Sequence, residues 1–101
     1  MKIALVQYQS KAGDIAYNSA QHRHWIHHAQ KSGADLVVFP ELSLTSYEPD
    51  LANRLAVEPE DEFWRTWQRL SDELNVSFGL GMPVRMSDGI VIGLVLFQPQ
   101  Q

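Results

Sequence analysis

Cysteine is missing altogether from the 101-residue chain. Its absence excludes disulfides, thiolate metal sites and a cysteine nucleophile carried by these residues. Compartment stays open on this point, because secreted and cytosolic proteins can both lack the residue. Basic residues are few as well. Eight Lys and Arg stand against twelve Asp and Glu, the net charge is −4, the pI is near 5.4, and the cations are scattered. Nothing here makes an electrostatic footprint for a phosphate backbone, so no nucleic-acid partner is expected. Long apolar runs are also lacking. The first one, Ile3-Ala4-Leu5-Val6, stops at Gln7, too short for the apolar region of a signal peptide, and no other run approaches membrane-spanning length. The expectation is a cytoplasmic protein with no membrane partner.

What is present reads as an ordinary globular domain, with 45% hydrophobic and 20% charged residues. Lys2 to Gln9 is apolar on both faces and reads as a central strand covered on both sides. Gly13-Asp14 is a turn signal. A helix is predicted from about Tyr17 to Lys31, ended by Ser32-Gly33, with Trp25, Ile26, Ala29, Ala20 and His22 on one stripe. Leu36-Val37-Val38-Phe39 is a second buried strand, stopped by Pro40. Strand, helix and strand at this spacing make a βαβ-type unit, most simply with parallel strands. Residues 41–60 read as irregular. A second amphipathic helix spans about Glu60 to Asn75, with Phe63, Trp67, Leu70 and Leu74 on one face. Strands at Val76 to Val84 and Ile90 to Phe97 flank Ser87-Asp88-Gly89, which is hairpin-turn chemistry.

The most informative stretch is Gly33-Ala34-Asp35-Leu36-Val37-Val38-Phe39-Pro40-Glu41-Leu42. An apolar strand here delivers a carboxylate to its C-terminal end, where α/β sheets usually bind ligands. Partly screened from water, such a group has a raised pKa and can trade protons near neutral pH. The residues alone equally allow a plain structural role, since Glu after Pro is common at loop starts and in first helical turns.

Lys2-Ile3-Ala4-Leu5-Val6-Gln7, then Gly13-Asp14 and Asn18, then the stretch ending Phe39-Pro40-Glu41, and later Gly79-Leu80-Gly81-Met82-Pro83, occur in an order and spacing that resembles the opening of the nitrilase superfamily, the carbon–nitrogen hydrolases. The resemblance covers essentially the whole chain. It implies an α/β fold, the N-terminal part of a four-layer α-β-β-α sandwich, with residues 1–101 forming the N-terminal part of a single hydrolase domain. It also implies a Glu-Lys-Cys triad. In that chemistry a cysteine thiolate attacks an amide, carbamoyl or nitrile carbon and forms a thioester or thioimidate. The glutamate shuttles protons, and the lysine stabilises the developing negative charge. The glutamate's motif maps to Glu41. The family lysine and cysteine lie further along, beyond the segment matching Val76 to Phe97, whereas Lys2, Lys11 and Lys31 all precede Glu41. The 101-residue chain is therefore expected to be inactive by itself, as part of a longer hydrolase. The alternative is a non-catalytic binding or scaffold protein with a degenerate form of the fold.

Tyr47 and Glu48, in the loop after the glutamate, are candidates to line a substrate pocket, Tyr47 foremost as a substrate-binding residue; an ordinary loop role is equally open. The triad mechanism uses no cofactor, so none is expected, and neither is a metal. His24 and His28 stand i,i+4, but no carboxylate or cysteine completes a site, and His22, His24, His27 and His28 are expected on a solvated helix face. Trp25 and Trp67 belong to apolar stripes and are expected in the core. Glu58, Glu60, Asp61 and Glu62 place favourable charge before the second helix. The expected partners are a small-molecule amide, carbamoyl or nitrile substrate and further copies of the chain in a homo-oligomer. One sheet face and one strand edge are expected to be apolar and uncovered in this chain.

Overall fold

The computed structural model of the chain describes residues 1–46, 56–57 and 62–100. Tyr47, Glu48, Glu58, Glu60 and Asp61 lie outside the described residues. The elements are β1 (Ile3–Leu5), α1 (Ile15–Lys31), β2 (Leu36–Val38), α2 (Phe63–Leu74), β3 (Ser77–Met86) and β4 (Gly89–Phe97). They build a four-stranded sheet in the order β1-β2-β3-β4. The first two pairings are parallel and the last is antiparallel. Helix α1 starts two residues before the predicted Tyr17 because Asp14 caps it, its carboxylate accepting from the Tyr17 amide at 2.9 Å. Gly33 ends it with φ +89°, a left-handed conformation that glycine adopts without strain. Asn75 does the same for α2 at φ 52°. The Ser71 hydroxyl then donates to the Val76 carbonyl at 2.7 Å and turns the chain into β3.

The two faces of the sheet differ sharply. On one, Val37, Phe78, Leu80, Met82 and Phe97 pack with Ile26 and Ala29 of α1 and with Trp67 and Leu70 of α2 into a continuous core. The other presents Ile3, Leu5, Ile92, Leu94 and Leu96 as exposed apolar side chains. Strand register brings Leu94 opposite Gly81 and Leu96 opposite Gly79. The expectation that β1 is covered on both sides is corrected here. The strand lies at the sheet edge among the described residues, with Leu5 75% exposed. Two apolar faces signal eventual cover, and the described chain supplies it on one side only.

A second correction concerns α1. Its buried stripe is Asn18, His22, Ile26 and Ala29, while Ala20 is exposed. His24, His27 and His28 are solvent-facing as expected, but His22 is fully buried. Its Nδ1 lies 2.6 Å from the Asn18 carbonyl and 3.1 Å from the Tyr8 hydroxyl, and its Nε2 lies 2.7 Å from Ser43 Oγ. A carbonyl cannot donate, so Nδ1 carries the hydrogen, and Nε2 accepts from the Ser43 hydroxyl. Asn18 is equally well satisfied. Its amide donates to the Lys11 and Leu44 carbonyls, and its oxygen accepts from the Lys11 amide, each at 2.8 Å. Tyr8 donates to the Ser43 carbonyl at 3.0 Å, and its pKa is pushed up to about 12 by burial first and by neighbouring Tyr17 second, so it remains a donor at any ordinary pH.

Residues 40–46 are thus pinned against α1 on one side. On the other they lie directly on the backbone of β3. The Leu44 amide donates to the Gly81 carbonyl at 3.0 Å, and the Gly81 amide donates to Ser43 Oγ at 3.2 Å. A Cβ at position 81 would overlap the Leu42 amide nitrogen and stand 2.7 Å from the Pro40 oxygen and 2.8 Å from the Ser43 nitrogen. Only glycine allows this approach.

Two outcomes follow from this packing. Gly81→Ala pushes on backbone that cannot step aside and should lower the free energy of unfolding by about 3 kcal/mol or more. Gly79→Ala meets only the Leu94 side chain at 3.2 Å and should cost less than about 1 kcal/mol. Urea unfolding of both variants checks the contrast, and equal costs would refute it. The second outcome is a pH dependence. Burial, opposed by the bond to Asn18, lowers the pKa of His22 to about 4. An unfolded chain protonates this ring near pH ~6.5, so stability present above that value drains as pH falls toward the folded pKa, by roughly 3 kcal/mol. His22→Gln should flatten that part of the stability profile, and an unchanged slope between pH 7 and 4 would exclude the ring as its source.

Candidate active site

Strand β2 ends at Val38, and the chain stays paired for one more residue, the Phe39 amide donating to the Gly79 carbonyl at 3.2 Å. Pro40 has no amide hydrogen to continue the ladder. The backbone then folds into successive turns, with Ser43 donating to Pro40 at 3.1 Å, Thr45 to Leu42 at 3.1 Å and Ser46 to Leu42 at 2.8 Å. Leu42 and Ser46 take left-handed conformations, φ 51° and 66°, which cost a non-glycine residue on the order of 1 kcal/mol each. Leu42, Ser43, Leu44 and Thr45 are all buried. Gly13 closes the far end by donating to Thr45 at 2.9 Å.

Glu41 is the exposed residue at the head of this buried turn. It lies at the C-terminal tip of β2, the position expected from the sequence. Its side chain borders a cavity of about 230 Å³ on the open face of the sheet, lined also by Val38, Phe39, Gly81, Ile92, Gly93 and Leu94. The walls are mostly apolar. The expected screening from water is not met within the described residues, because the face above the carboxylate is uncovered. No hydrogen bond or ion pair engages the carboxylate among the described residues.

Other candidates are placed as follows. Tyr47 falls outside the described residues. Lys2 is occupied, its backbone amide donating to Asp35 and its ammonium to the Ser32 carbonyl. Lys11 sits 4.1 Å from the centre of the Tyr17 ring. Among the described residues no group of three or more His, Cys, Asp or Glu could hold a metal ion, and no helix is long and apolar enough to cross a membrane. Trp67 is fully buried as expected, whereas Trp25 is half-buried at the edge of the core. Three residues that shape the site were not singled out for it from the sequence, namely His22, Ser43 and Gly81. The signal for His22 was its spacing with Ile26 and Asn18 on the buried stripe; Ser43 carried none.

Comparison with known proteins matches this arrangement. The sequence profile of the Carbon-nitrogen hydrolase family covers residues 2–101. A curated relative, the glutamine-dependent NAD(+) synthetase of Acinetobacter baylyi, is 28% identical over 107 aligned positions, covering 92% of this chain and 19% of the relative. Among solved structures, Saccharomyces cerevisiae Nit3, a member of branch 10 of the nitrilase superfamily, superposes with a TM-score of 0.84 at 23% identity, over 97% of this chain and 40% of Nit3. A double mutant of the amidase from Nesterenkonia sp. AN1, with one glutamate changed to glutamine and one cysteine to alanine, in complex with acrylamide, gives 0.79 at 20% identity, over 97% and 38%. The chain thus spans about a fifth of the curated relative's length and about two fifths of the structures'. These likenesses show the fold as α/β, the N-terminal portion of a nitrilase-like α-β-β-α sandwich, of which one helical layer and one sheet are seen here. With its profile matched from residue 2 to residue 101, the chain belongs to the carbon–nitrogen hydrolase family.

Proposed function

We propose that the whole protein hydrolyses non-peptide carbon–nitrogen bonds in small amide, carbamoyl or nitrile substrates, with Glu41 as its proton-shuttling base. The observation that carries this reading is the placement of Glu41: a carboxylate at a strand tip, on a turn fixed from both sides, opening onto an apolar cavity. Glu41 takes the proton from a cysteine thiol, and the thiolate attacks the substrate carbon. With an amide or carbamoyl substrate the proton passes to the departing ammonia or amine. With a nitrile it goes to the nitrogen of the thioimidate, which expels ammonia once a water has added to it and so becomes the thioester. A water then loses a proton to the same carboxylate as it attacks the thioester, and the acid leaves with the thiol restored. A lysine holds the negative charge on the substrate oxygen or nitrogen. The cysteine and that lysine come from outside these 101 residues, which hold no cysteine and no lysine after Glu41. The domain, of which this chain is the N-terminal part, acts in the cytoplasm as a homo-oligomer and uses no cofactor. Tyr47, following Glu41 closely in the chain, contributes to the substrate pocket.

The alternative reading is a non-catalytic binding or scaffold protein with a degenerate form of this fold. Turnover separates the two. Glu41→Gln in the whole protein should lower ammonia release from an amide panel by about 100-fold or more, the usual worth of a positioned general base. A variant with near-parental turnover would reject the role, and a parental protein inert on amides, carbamoyl compounds and nitriles would support the scaffold. Tyr47→Ala should raise KM severalfold while kcat holds within about twofold, the pattern of lost substrate binding. An unchanged KM would remove Tyr47 from the pocket.

A further inference from the structure

Glu41 is held in place by its neighbours in sequence, and one side chain from another element grips those neighbours on both sides. The His22 ring stacks on Phe39 with centroids 4.0 Å apart and planes inclined by 21°. The same ring accepts from the Ser43 hydroxyl at 2.7 Å. Phe39 precedes Glu41 by two positions and Ser43 follows it by two, so a single imidazole spans the glutamate. Every hydrogen in this link has a defined direction. His22 Nδ1 donates to Asn18, Ser43 donates to His22 Nε2, and Ser43 Oγ accepts from Gly81. The ring is further boxed in by Tyr8 at 5.5 Å and Trp67 at 6.1 Å, both edge-on. Arg23, next along α1, places its guanidinium 4.6 Å from the centre of the Trp67 ring. No carboxylate is bonded to His22 among the described residues, so nothing there recruits it as an acid or base.

An apolar residue would fill this buried position without needing any polar partner, whereas burying an imidazole requires partners for both nitrogens. The partners it has are the Asn18 carbonyl of its own helix and the Ser43 hydroxyl of the turn beside the carboxylate, while its ring face lies on Phe39. We propose that His22 and Ser43 are positioning residues for the reaction: clamped between Phe39 and Ser43, the imidazole of α1 sets the direction in which Glu41 presents its carboxylate. This rests on the reading of Glu41 as the catalytic base. Neither residue touches the reacting atoms. Ser43 acts by tying the turn to both His22 and Gly81, and His22 by tying it to the helix.

The experiment is a double-mutant cycle in the whole protein with Ser43→Ala, which removes one hydroxyl, and Glu41→Gln. Ser43→Ala should lower kcat by about 10-fold or more with KM within about twofold, and should produce no further loss in the Glu41→Gln background. Rates are taken per folded molecule, and where turnover is too slow, from alkylation of the catalytic thiol by iodoacetamide. His22→Gln should repeat the result if it folds, and Ser43→Ala carries the test if it does not. A Ser43→Ala protein with lowered Tm but parental kcat would overturn the proposal, as would equal losses in both backgrounds, which mark a structural effect independent of Glu41. Failure of the underlying reading looks different, since Glu41→Gln alone would then retain turnover.

Discussion

Everything about the site depends on the turn at residues 40–46 lying flat on the bare backbone of Gly81. Three backbone atoms, from Pro40, Leu42 and Ser43, occupy the space a side chain would take. That approach lets Gly81 bond the turn through both of its peptide groups, as acceptor from Leu44 and as donor to Ser43. It also lets Leu42 and Leu44 bury their side chains immediately after an exposed glutamate. The left-handed Leu42 and Ser46 are the strain this geometry carries, a cost of order 1 kcal/mol apiece that the surrounding bonds offset.

The polar residues of α1 make sense only beside this turn. An amphipathic helix on a sheet would ordinarily bury an unbroken apolar stripe, yet α1 buries Asn18 and His22 at the end nearest the turn and Ile26 and Ala29 beyond it. Apolar replacements could serve stability as well, since a buried polar group in a satisfied network roughly breaks even. What they could not do is select one conformation for a segment with left-handed residues. Asn18 reads the backbone at Lys11 and Leu44, and His22 reads Ser43. Direction, more than adhesion, is what these bonds add.

Much of this could be read from the sequence, and the failures have physical causes. Strand and helix placement was legible because the apolar periods are clean; β3 and β4 and their turn lie within about two residues of expectation. The edge position of β1 was not, because two apolar faces report that a strand will be covered without saying by what. His22 carried two conflicting expectations, the apolar stripe with Ile26 and Ala29 and the solvated histidine cluster; the stripe held, because a spacing of four from Ile26 puts the ring on the buried side. Asp14 was seen as a turn residue when it is also the helix cap. Ser43 and Gly81 act through a contact thirty-eight residues apart, which no local pattern reveals. Glu41 became a candidate active residue through family resemblance, since the residues alone allowed a plain loop role.

The open face then explains how a carboxylate can be rigidly placed and still chemically free. Asp35 shows the usual alternative: it is held through its own oxygen, which accepts from the Lys2 amide at 2.8 Å. A base held that way spends the lone pairs it needs for reaction. Glu41 is instead positioned through its backbone, and its carboxylate engages no partner among the described residues, leaving both oxygens free to accept. Its surroundings on that side are Val38, Ile92 and Leu94, which offer it no competing donor. A second layer closing over Ile3, Leu5, Leu94 and Leu96 would exclude water from the same space. The apolar face left uncovered by the described residues is therefore also the surface that borders the cavity beside Glu41.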